Sequence, residues 1–537
     1  MIEIPWCRVP GVSSLVCDYT RGDDWLLAQC SGDSSPRAVQ AAAIPAIEQT
    51  MHPFVTSQQQ RTNLERLRQG APVIIGGQQV GYLGGPLYTW LKIATIVAVA
   101  RQQNAVPLFW VEDNDHDLAE ASQVSVVSND DRVVRYVCPS AEVYPPQTTV
   151  SSCRLGPAVE EHLGQLADLL AGLPFVEETL SLLRTCYAVG RSWSDAFIGV
   201  HHHVWKEEGV LFVRSSILRT HGAMQTVLER EIAEPGQLQQ AVAQQTRLLV
   251  ERGYMPQVDA ARINLFLHHG NRRFRIYQED EWHYRIAQQR IKAEELAARM
   301  RREPHHFSPT AVLRPLVQDW LFAPMVTIVG PAELQYHLQL RGVYRLWQIP
   351  MPTLALRHSV TLVPAAVLRL IEQHGNDIEH FFQPQSAFFA WVARQLDSSG
   401  LFSQLDVIRR SQFEYMTELE RRAAEYDPSL KKAVGAVAHN IGEQLAKLEQ
   451  KIRRAVRLRQ QQAMMRYQRA HTHLFPNNRL QERTIAPIHI LSKIGVEQWR
   501  TVFGNLTTQS NCAHYIATPD ELLQMAGTQV VLSKLIA

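Results

Sequence analysis

The sequence lacks the patterns that mark several common classes of protein. Its seven cysteines are widely scattered and none forms a CxxC pair. That distribution excludes a zinc ribbon and a disulfide framework, and it favours reduced thiols in the cytoplasm. Basic and acidic residues nearly balance, at 54 against 52, which gives a net charge of +2. The balance gives no electrostatic reason to expect nucleic acid or an anionic membrane as a partner.

Long apolar runs are also absent. The most apolar window, 81–100, has Lys92 at its centre and glycines and a proline at its start. It therefore predicts a buried helix rather than a membrane span. The start, MIEIPWCRVPG, has no basic segment followed by an apolar core, so no secretory signal is expected. The composition, 45% hydrophobic and 20% charged, is typical of an ordinary soluble globular protein.

Strand and helix patterns alternate in the first half of the chain. APVIIGG and AVPLFWVE have the pattern of buried strands, and a helix beginning at Pro86 separates them. Two further strand patterns, EGVLFVRS and PMVTIVGPAE, follow at long intervals. This order predicts an α/β fold with a Rossmann-like parallel sheet that is interrupted by two inserted subdomains. The predicted core segments are 1–130, 206–230 and 313–384, and the insertions are 131–205, mostly helical, and 231–312, of α+β type.

The predicted region 385–475 is different, with long polar stretches that contain little glycine. Asp427 and Pro428 begin a helix in which apolar residues recur at spacings of three and four. These residues are Leu430, Val434, Val437, Ile441, Leu445, Leu448 and Ile452. The pattern predicts a helical hairpin, an antiparallel coiled coil, that packs on its own domain or pairs two chains. No clear pattern defines the C-terminal segment, 476–537.

The first candidate for chemistry is the glycine-rich stretch VIIGGQQVGYLGGPLYTWLK. It contains neither GxxxxGK[ST] nor GxGxxG, yet glycines before a helix start are suited to an anion or nucleotide. Thr89 and Lys92 share one face of that helix, and Gln78 and Gln79 offer donors and acceptors. The alternative is a glycine-rich turn followed by a lysine whose stem is buried.

The second candidate is FWVEDNDHDLAE, in which His116 lies between Asp115 and Asp117. Carboxylates beside an imidazole at the end of a strand orient a general base or bind a divalent cation. No second histidine is spaced for metal ligation, so we favour the catalytic arrangement and assign no metal. The alternative is the acidic first turn of a helix. The motif also contains Glu112, Asp113 and Glu120.

The third candidate is LRPLVQDWLFAPMVTIVGPAELQYHLQL, where Gly330 again follows a strand and precedes a helix. Glu333 and Tyr336 share a face of that helix. Arg314 contacts an anionic substrate or bridges to Asp319. Because all three motifs follow parallel strands, we expect them to converge on one cleft at the carboxyl ends of the strands.

Taken together, the three motifs resemble the BshC family of bacillithiol biosynthesis over nearly the whole chain. GGQQVGYLGGPLYTWLK, FWVEDNDHDLAE and RPLVQDWLFAPMVTIVGPAELQYHLQL match the family's signatures in order and spacing. Asn114 and Thr310 depart from it, at positions where the family usually has glutamate and asparagine. The resemblance implies a core similar to class I nucleotidyltransferases, two connecting-peptide insertions and a coiled coil that pairs two chains as a homodimer. It also implies addition of L-cysteine to glucosaminyl malate.

That reaction forms an amide, so the cysteine carboxyl group needs activation, and ATP or ADP is the candidate nucleotide. His116, oriented by Asp115 or Asp117, is the predicted base for the attacking amine. Lys92 and Arg314 are expected to hold the carboxylates of malate, and backbone amides near Gly77 and Gly85 a phosphate or carboxylate. The full set of predicted substrate-binding residues is Gly77, Gln78, Gln79, Gly85, Thr89, Lys92, Glu120, Arg314, Gly330, Glu333 and Tyr336.

Two alternatives remain beside this hypothesis. One is nucleotidyl transfer or tRNA charging on the same fold, although neither HIGH nor KMSKS occurs in the chain. The other is a non-enzymatic assembly protein whose coiled-coil arm recruits other enzymes of the pathway. The polar residues at the predicted cleft argue against the second alternative.

Overall fold

The computed structural model describes residues 1–33, 35–139 and 141–525. They belong to two compact units, which we call the core unit and the arm unit. The core unit comprises Met1–Val363 and the described part of Leu480–Ala537, and the arm unit comprises Pro364–Arg479. No helix in the described ranges is long and apolar enough to cross a membrane.

The strands lie in the core unit. They are β1 (Ile2–Pro5), β2 (Val73–Gln79), β3 (Val106–Glu112), β4 (Gln123–Val127), β5 (Val133–Val137), β6 (Leu211–Arg214), β7 (Leu265–His269), β8 (Arg272–Gln278), β9 (His283–Ile286), β10 (Gln289–Lys292), β11 (Phe307–Pro309), β12 (Val326–Val329), β13 (Thr353–Leu356), β14 (Ser359–Leu362) and β15 (Ala513–Ala517).

Helices occur in both units. They are α1 (Ser14–Arg21), α2 (Asp24–Cys30), α3 (Ile44–Met51), α4 (Gln58–Arg68), α5 (Leu87–Gln102), α6 (Leu118–Ala121), α7 (Ala158–Leu170), α8 (Val176–Cys186), α9 (Trp193–Trp205), α10 (Ser215–Thr220), α11 (Gln225–Ala233), α12 (Gln237–Glu251), α13 (Ala293–Arg302), α14 (Arg314–Phe322), α15 (Pro331–Trp347), α16 (Ala365–Glu372), α17 (Gln385–Gln395), α18 (Leu401–Tyr426), α19 (Leu430–Arg459), α20 (Gln461–Leu474), α21 (Gln481–Thr484), α22 (Ile488–Leu506) and α23 (Pro519–Gln524).

A five-stranded parallel sheet forms the centre of the core unit, with strand order β13-β12-β2-β3-β6. Its strands are almost continuously apolar and buried, as expected for a sheet covered on both faces. The chain passes from β2 through α5 to β3, and it later returns to place β12 on the other side of β2. The strand order therefore reverses between β2 and β12, and ligand sites of such sheets lie at the carboxyl ends beside that point.

Two excursions interrupt this sheet. Between β3 and β6 the chain forms the antiparallel hairpin β4–β5 and the helices α7, α8 and α9. Between β6 and β12 it forms a second sheet, of order β10-β9-β8-β7-β11, in which the neighbouring strands are antiparallel. The predicted parallel core with two inserted regions is therefore confirmed.

The C-terminal segment, which no clear pattern defined, completes the core unit. Strand β15 lies between β1 and β14 in a three-stranded sheet. On the preceding helix α21, Glu482 accepts hydrogen bonds from Arg357 at 2.7 and 3.0 Å and from the Ser359 hydroxyl at 2.7 Å. Arg357 and Glu482 are both buried, so this ion pair fixes the C-terminal segment beside β13 and β14.

The arm unit contains the predicted antiparallel helical hairpin, formed by α18 and α19. Arg409 pairs with Glu449, and Glu420 near the tip pairs with Lys431, so the two helices run in opposite directions. Apolar packing is confined to one end of the hairpin, where Ala393, Phe402 and Val456 form a buried cluster. The predicted apolar stripe on α19 is largely exposed, by 39% at Leu430, 54% at Val437, 37% at Ile441 and 45% at Leu448.

Candidate active site

Each of the three motifs contains the carboxyl end of one strand of the central sheet. These strand ends lie at one edge of the sheet, which we call the carboxyl edge. β2 ends at Gln79, β3 at Glu112 and β12 at Val329, and these strands are neighbours. Helix α5 follows β2 and helix α15 follows β12, so the polar residues at the start of each helix lie beside the strand ends.

A buried ion pair joins the first and third motifs. The Lys92 ammonium group, 1% exposed, donates to the Glu333 carboxylate at 2.7 and 2.9 Å. It also donates to the Gly77 carbonyl at 2.7 Å and to Gln78 Oε1 at 3.0 Å. Burial alone would raise the pKa of Glu333, but the charge of Lys92 lowers it to about 2. The pair is therefore ionised, and the protein's own acceptors satisfy Lys92.

Glu333 also fixes the start of α15. Its carboxylate accepts the backbone N–H of Gly330 at 2.5 Å, as a capping residue does in the first turn of a helix. The side chain of Glu333 is nevertheless 24% exposed, so it is only partly buried. Gly330 and Glu333, both predicted site residues, are thus brought together with Lys92.

Arg314 and Tyr336 form a second pair within the third motif. Arg314 Nη2 donates to the Tyr336 hydroxyl at 3.3 Å, and its Nη1 donates to Gln318 Oε1 at 3.0 Å. The predicted alternative, a direct bridge from Arg314 to Asp319, is not formed. Asp319 instead accepts the Tyr344 hydroxyl at 2.5 Å and the Gln318 amide at 3.0 Å. Burial raises the pKa of Asp319 to about 6.

His116 lies at the end of β3 in a cluster completed by the inserted sheet. Arg273 on β8 donates from Nε to His116 Nδ1 at 2.7 Å and from Nη2 to Asp115 at 2.5 Å. Gln79 donates to the other oxygen of Asp115. The Arg273 guanidinium carbon lies 4.2 Å from the ring centroid of Phe266, whose ring also meets the imidazole edge-on. The inserted sheet therefore supplies two of the groups that hold His116.

The charges of this cluster are well defined. Burial lowers the pKa of His116, and the positive charge of Arg273 lowers it further. Burial alone would raise the pKa of Asp115, but Arg273 and the hydrogen bond from Gln79 lower it. The imidazole is therefore neutral and the carboxylate ionised near neutral pH. Asp115 Oδ1 lies 3.6 Å from His116 Nδ1, beyond hydrogen-bond distance, so the direct partner of the ring is Arg273.

Asp117 and Glu120 lie on the exposed side of the same motif. Asp117 caps α6 by accepting the backbone N–H of Glu120 at 2.9 Å. Loss of hydration raises the pKa of Glu120, and the neighbouring carboxylates of Asp117 and Asp115 raise it further. The predicted alternative of an acidic helix start thus accounts for Asp117, and Glu120 is a carboxylate close to the His116 cluster.

Asp113, from the same acidic motif, is a structural residue. Its buried carboxylate accepts Arg214 Nε at 2.7 Å, the Ser216 hydroxyl at 2.7 Å and the Ser194 hydroxyl at 3.0 Å. Arg214 also pairs with Asp195 at 3.0 Å. This network connects the end of β3 to the end of β6 and to α9. It therefore holds in place the strand end that His116 follows.

Glu112 connects the charged groups of the carboxyl edge. It accepts the Ser215 hydroxyl at 2.7 Å and the Trp110 indole N–H at 2.9 Å. Burial raises the pKa of Glu112, while the charges of Arg273 and Arg314 act to lower it. One carboxylate therefore interacts with arginines from both the His116 cluster and the Arg314–Tyr336 pair.

The first two glycines of the first motif make room for the protein itself. A Cβ on Gly76 would lie 2.9 Å from the Ile328 carbonyl oxygen, and one on Gly77 would lie 2.9 Å from Trp110 Cβ. Any larger residue would push β2 away from β12 or β3. These glycines are therefore required for strand packing next to the Lys92 site.

The amides predicted to receive an anion are used within the chain. Gly85 N–H donates to the Tyr82 carbonyl at 2.9 Å, Leu87 N–H to the Ile485 carbonyl at 2.9 Å, and Thr89 N–H to Pro86 at 3.0 Å. Gly85 and Thr89 are both buried. The expectation of free amides at this helix start is corrected, because the C-terminal segment accepts one of them.

Models of two domains of one family match this chain. The domain described as "Bacillithiol biosynthesis BshC, N-terminal Rossmann-like domain" matches residues 27–358, and "Bacillithiol biosynthesis BshC, C-terminal coiled-coil domain" matches residues 360–518. The chain belongs to the BshC family. The resemblance of its three motifs to that family is thereby confirmed.

Curated members of the BshC family are similar over most of their length. A protein of Salinibacter ruber is 29% identical over 446 residues, which cover 81% of this chain and 80% of the relative. A protein of Chlorobaculum tepidum is 27% identical over 537 residues, which cover 92% and 95%. Both carry the name "Putative cysteine ligase BshC".

Sequence reasoning missed Arg273, Phe266 and Arg357 as neighbours of the site. Strand alternation in RINLFLHHGNRRFRIYQED places Arg272 and Arg273 on opposite faces of β8. No pattern in the chain says which face of an inserted sheet meets the end of β3. Arg357, whose guanidinium carbon lies 5.7 Å from the ring centroid of Tyr88, follows β13 directly, where the same strand-end argument would have found it.

Proposed function

We propose that this chain is a carbon–nitrogen ligase that joins the carboxyl group of L-cysteine to the amine of glucosaminyl malate and so forms bacillithiol. Membership of the BshC family and the name of the relatives support this proposal. The observation that carries it is the pair of polar clusters at the carboxyl edge, one around Lys92 and Glu333 and one around His116 and Arg273.

In the proposed reaction the amine nitrogen attacks the carbonyl carbon of an activated cysteine. The C–N bond forms, the bond from that carbon to the leaving oxygen breaks, and the nitrogen loses one proton. We assign the carboxylates of Asp117 and Glu120 to the proton, and His116 to an anionic oxygen of the substrate. The pKa of Glu120 is raised by burial and by the neighbouring carboxylates, which makes it a stronger proton acceptor than an ordinary carboxylate.

Activation of the cysteine carboxyl group requires a co-substrate, for which we propose a nucleoside triphosphate. The glycine-rich turn after β2 lacks the free N–H donors of a phosphate-binding loop. The amides of Gly85, Leu87 and Thr89 donate instead to carbonyl groups of the chain. That turn therefore does not fit the phosphate groups of a nucleotide.

Substrate charges match groups of the carboxyl edge. Arg314 is half-buried, and we propose that its guanidinium group holds a malate carboxylate. We propose that the ammonium group of cysteine lies beside the partly exposed Glu333 side chain, whose carboxylate Lys92 keeps ionised. Gln78, near the end of β2, donates from its amide to the Tyr88 hydroxyl at 3.3 Å and accepts from Lys92 at 3.0 Å.

We also propose that two chains pair through the arm unit. The apolar stripe of α19 is 37–54% exposed at Leu430, Val437, Ile441 and Leu448. Apolar residues at heptad-like spacing on a long exposed helix are typical of a coiled-coil seam. A second copy of the same hairpin presents the same apolar stripe, and the two stripes would bury each other.

The test is synthesis of bacillithiol by the purified full-length chain from L-cysteine, glucosaminyl malate and ATP, followed by mass spectrometry of the thiol product. We expect product with the wild type, a loss of at least tenfold in kcat/KM with Arg314→Gln, and wild-type rates with Arg272→Gln, an exposed residue of β8. An unchanged bacillithiol pool in cells that lack the chain would refute the function. Pyrophosphate release that depends on another acceptor, without cysteine, would favour nucleotidyl transfer.

A further inference from the structure

We propose that His116 acts through Nε2–H as a neutral hydrogen-bond donor to an anionic oxygen of the substrate, and that Arg273 of the inserted sheet fixes this tautomer. The donor role rests on the proposed ligase function, whereas the tautomer itself rests on the hydrogen bonds of the cluster. In this state the ring donates a hydrogen bond from Nε2, whereas a general base accepts a proton at that nitrogen.

The tautomer follows from the donor at Nδ1. Arg273 Nε donates to His116 Nδ1 at 2.7 Å. A guanidinium group has only donors and stays protonated in proteins, so Nδ1 must present its lone pair. A neutral imidazole carries one proton, and that proton is therefore on Nε2. In a histidine that serves as a base, a carboxylate accepts Nδ1–H and leaves the lone pair on Nε2.

The neighbouring carboxylate does not compete for Nδ1. Asp115 Oδ1 is 3.6 Å from Nδ1, while it accepts the backbone N–H of His116 at 2.7 Å and one N–H of Arg273 at 2.5 Å. Gln79 donates to its second oxygen. Asp115 thus holds Arg273 in place, and Arg273 in turn holds the ring.

Arg273 is itself rigidly placed. Its side chain is 9% exposed, it stacks on Phe266 at 4.2 Å, and it lies opposite His268 in the β7–β8 pairing. His268 is hydrogen-bonded to Ser308 on β11 at 2.8 Å. Three strands of the inserted sheet therefore orient the guanidinium group, which makes Arg273 a positioning residue that acts through His116.

The surrounding charges keep the ring neutral. Burial and Arg273 lower the pKa of His116, whereas Asp115 and Asp117 oppose the shift, and His268 is neutral because burial lowers its own pKa. A neutral Nε2–H donor stabilises negative charge that develops on an oxygen without giving up its proton. Amide formation from an activated carboxyl group develops such a charge on the carbonyl oxygen, and a phosphate or carboxylate group carries one permanently.

The tautomer is measured directly by NMR of the full-length chain labelled with ¹⁵N-histidine, with His116→Gln used to assign the signals. Long-range ¹H–¹⁵N correlations distinguish a proton on Nε2 from one on Nδ1. We expect the Nε2–H form in the wild type and in Arg272→Met, and its loss in Arg273→Met. A proton on Nδ1 in the folded wild type would overturn the proposal whatever the activity of the chain.

Kinetics then distinguish a donor from a base. Glutamine at position 116 offers an amide N–H close to the place of Nε2–H, whereas glutamate offers a base without a donor. We expect His116→Gln to retain kcat within about tenfold, and His116→Glu to lose about 100-fold or more, the usual effect of removing one such donor. Greater activity of His116→Glu, or equal losses in both variants, would overturn the donor role.

Two probes identify the oxygen that is bound. Inorganic phosphate and malate are titrated separately against the labelled chain, and the Nε2 signal of His116 is followed. A shift with phosphate assigns a phosphate oxygen, a shift with malate assigns a carboxylate oxygen, and the retained activity of His116→Gln without either shift assigns the carbonyl oxygen of acyl transfer. If the wild type makes no bacillithiol, the ligase function fails, while the NMR result still decides the tautomer.

Discussion

Lys92 and Glu333 lie 241 positions apart in the sequence, and their charged groups meet at 2.7 Å beside the point where the strand order reverses. The pair joins helix α5, which follows β2, to helix α15, which follows β12. It thereby fixes two separately encoded helix starts at the carboxyl edge. The stability of the fold and the charge of the candidate site therefore depend on the same contact.

Replacing Lys92 with methionine should destabilise the core unit by about 3 kcal/mol or more, the usual cost of leaving one partner of a buried pair without its counter-charge. The free energy of unfolding is measured by urea denaturation. Because Glu333 then loses its cation, Lys92→Met with Glu333→Gln should recover part of that loss. Arg101→Met removes the exposed pair with Glu208 and should cost at most about 1 kcal/mol. Equal effects of Lys92→Met and Arg101→Met would contradict the importance of the buried pair.

The packing role of the glycines in the first motif gives a second prediction. Gly76→Ala should lower the free energy of unfolding by about 1–3 kcal/mol, because the added Cβ meets the Ile328 carbonyl oxygen and Ile96. Gly164→Ala, inside α7 with open space around it, should raise that free energy by about 0.5–1 kcal/mol. Thermal and urea unfolding of both variants test the contrast. A tolerated alanine at 76 would show that β2 and β12 can separate without cost.

The carboxyl ends of three strands could be predicted, because short apolar runs stop there. Gly76, Glu112 and Gly330 mark the points where glycine or polar residues replace the apolar ones. The rule that parallel strands share one carboxyl edge then brought the three motifs together. The contact between Lys92 and Glu333 agrees with that prediction. The direct partner of His116 did not follow from it, because Arg273 arrives from a sheet whose orientation depends on tertiary packing.

The glycine-rich stretch shows why a local pattern alone could not predict whether the amides at the start of α5 are free. A turn that precedes a helix has free amides only if no other segment covers it, and here Ile485 accepts the Leu87 N–H. The covering segment is about 400 residues further along the chain, and its pattern predicted no contact. The same limit applies to Glu482, whose pairing with Arg357 no spacing in the sequence indicates.

The acidic motif contains both a structural and an exposed aspartate, which gives a matched pair of variants. Asp113→Asn should destabilise the chain by about 3 kcal/mol, since Arg214 loses a buried charged partner and the amide cannot accept every donor around Asp113. Asp117→Asn keeps an acceptor at the start of α6 and should change stability by less than about 0.5 kcal/mol. Chemical denaturation measures both. A larger loss at Asp117 would contradict the structural assignment of Asp113.

If two chains pair through the arm unit, charges on the apolar stripe of α19 should lower the mass of the particle in solution. Val437→Glu with Ile441→Glu places two charges on the exposed stripe of α19 and should convert the mass of two chains to that of one. Asn440→Glu, exposed on the same helix, should leave the mass unchanged. Light scattering coupled to size-exclusion chromatography gives the masses, and circular dichroism confirms that the helices persist. A double variant with the wild-type mass would rule out the stripe as the interface.

Glu231 on α11 should give the core unit a measurable pH dependence of stability. Its buried carboxylate accepts the backbone N–H of Asn264 at 2.7 Å and the side-chain amide at 2.9 Å, yet burial raises its pKa from 4.5 to about 7. The folded state therefore binds a proton more tightly than the unfolded state. The corresponding stability is fully present below about pH 4.5 and is lost as the pH rises through about 7.

Glu231→Gln keeps the acceptor for Asn264 and removes the titration. The difference in free energy of unfolding between wild type and variant should therefore fall with a slope of up to about 1.4 kcal/mol per pH unit between pH 4.5 and 7, and level off above. Urea denaturation at half-unit pH intervals measures this difference, in which the titration of Asp319 and of other shared groups cancels. A difference that stays constant across this range would mean that Glu231 is ionised in the folded core, with a pKa close to its ordinary value.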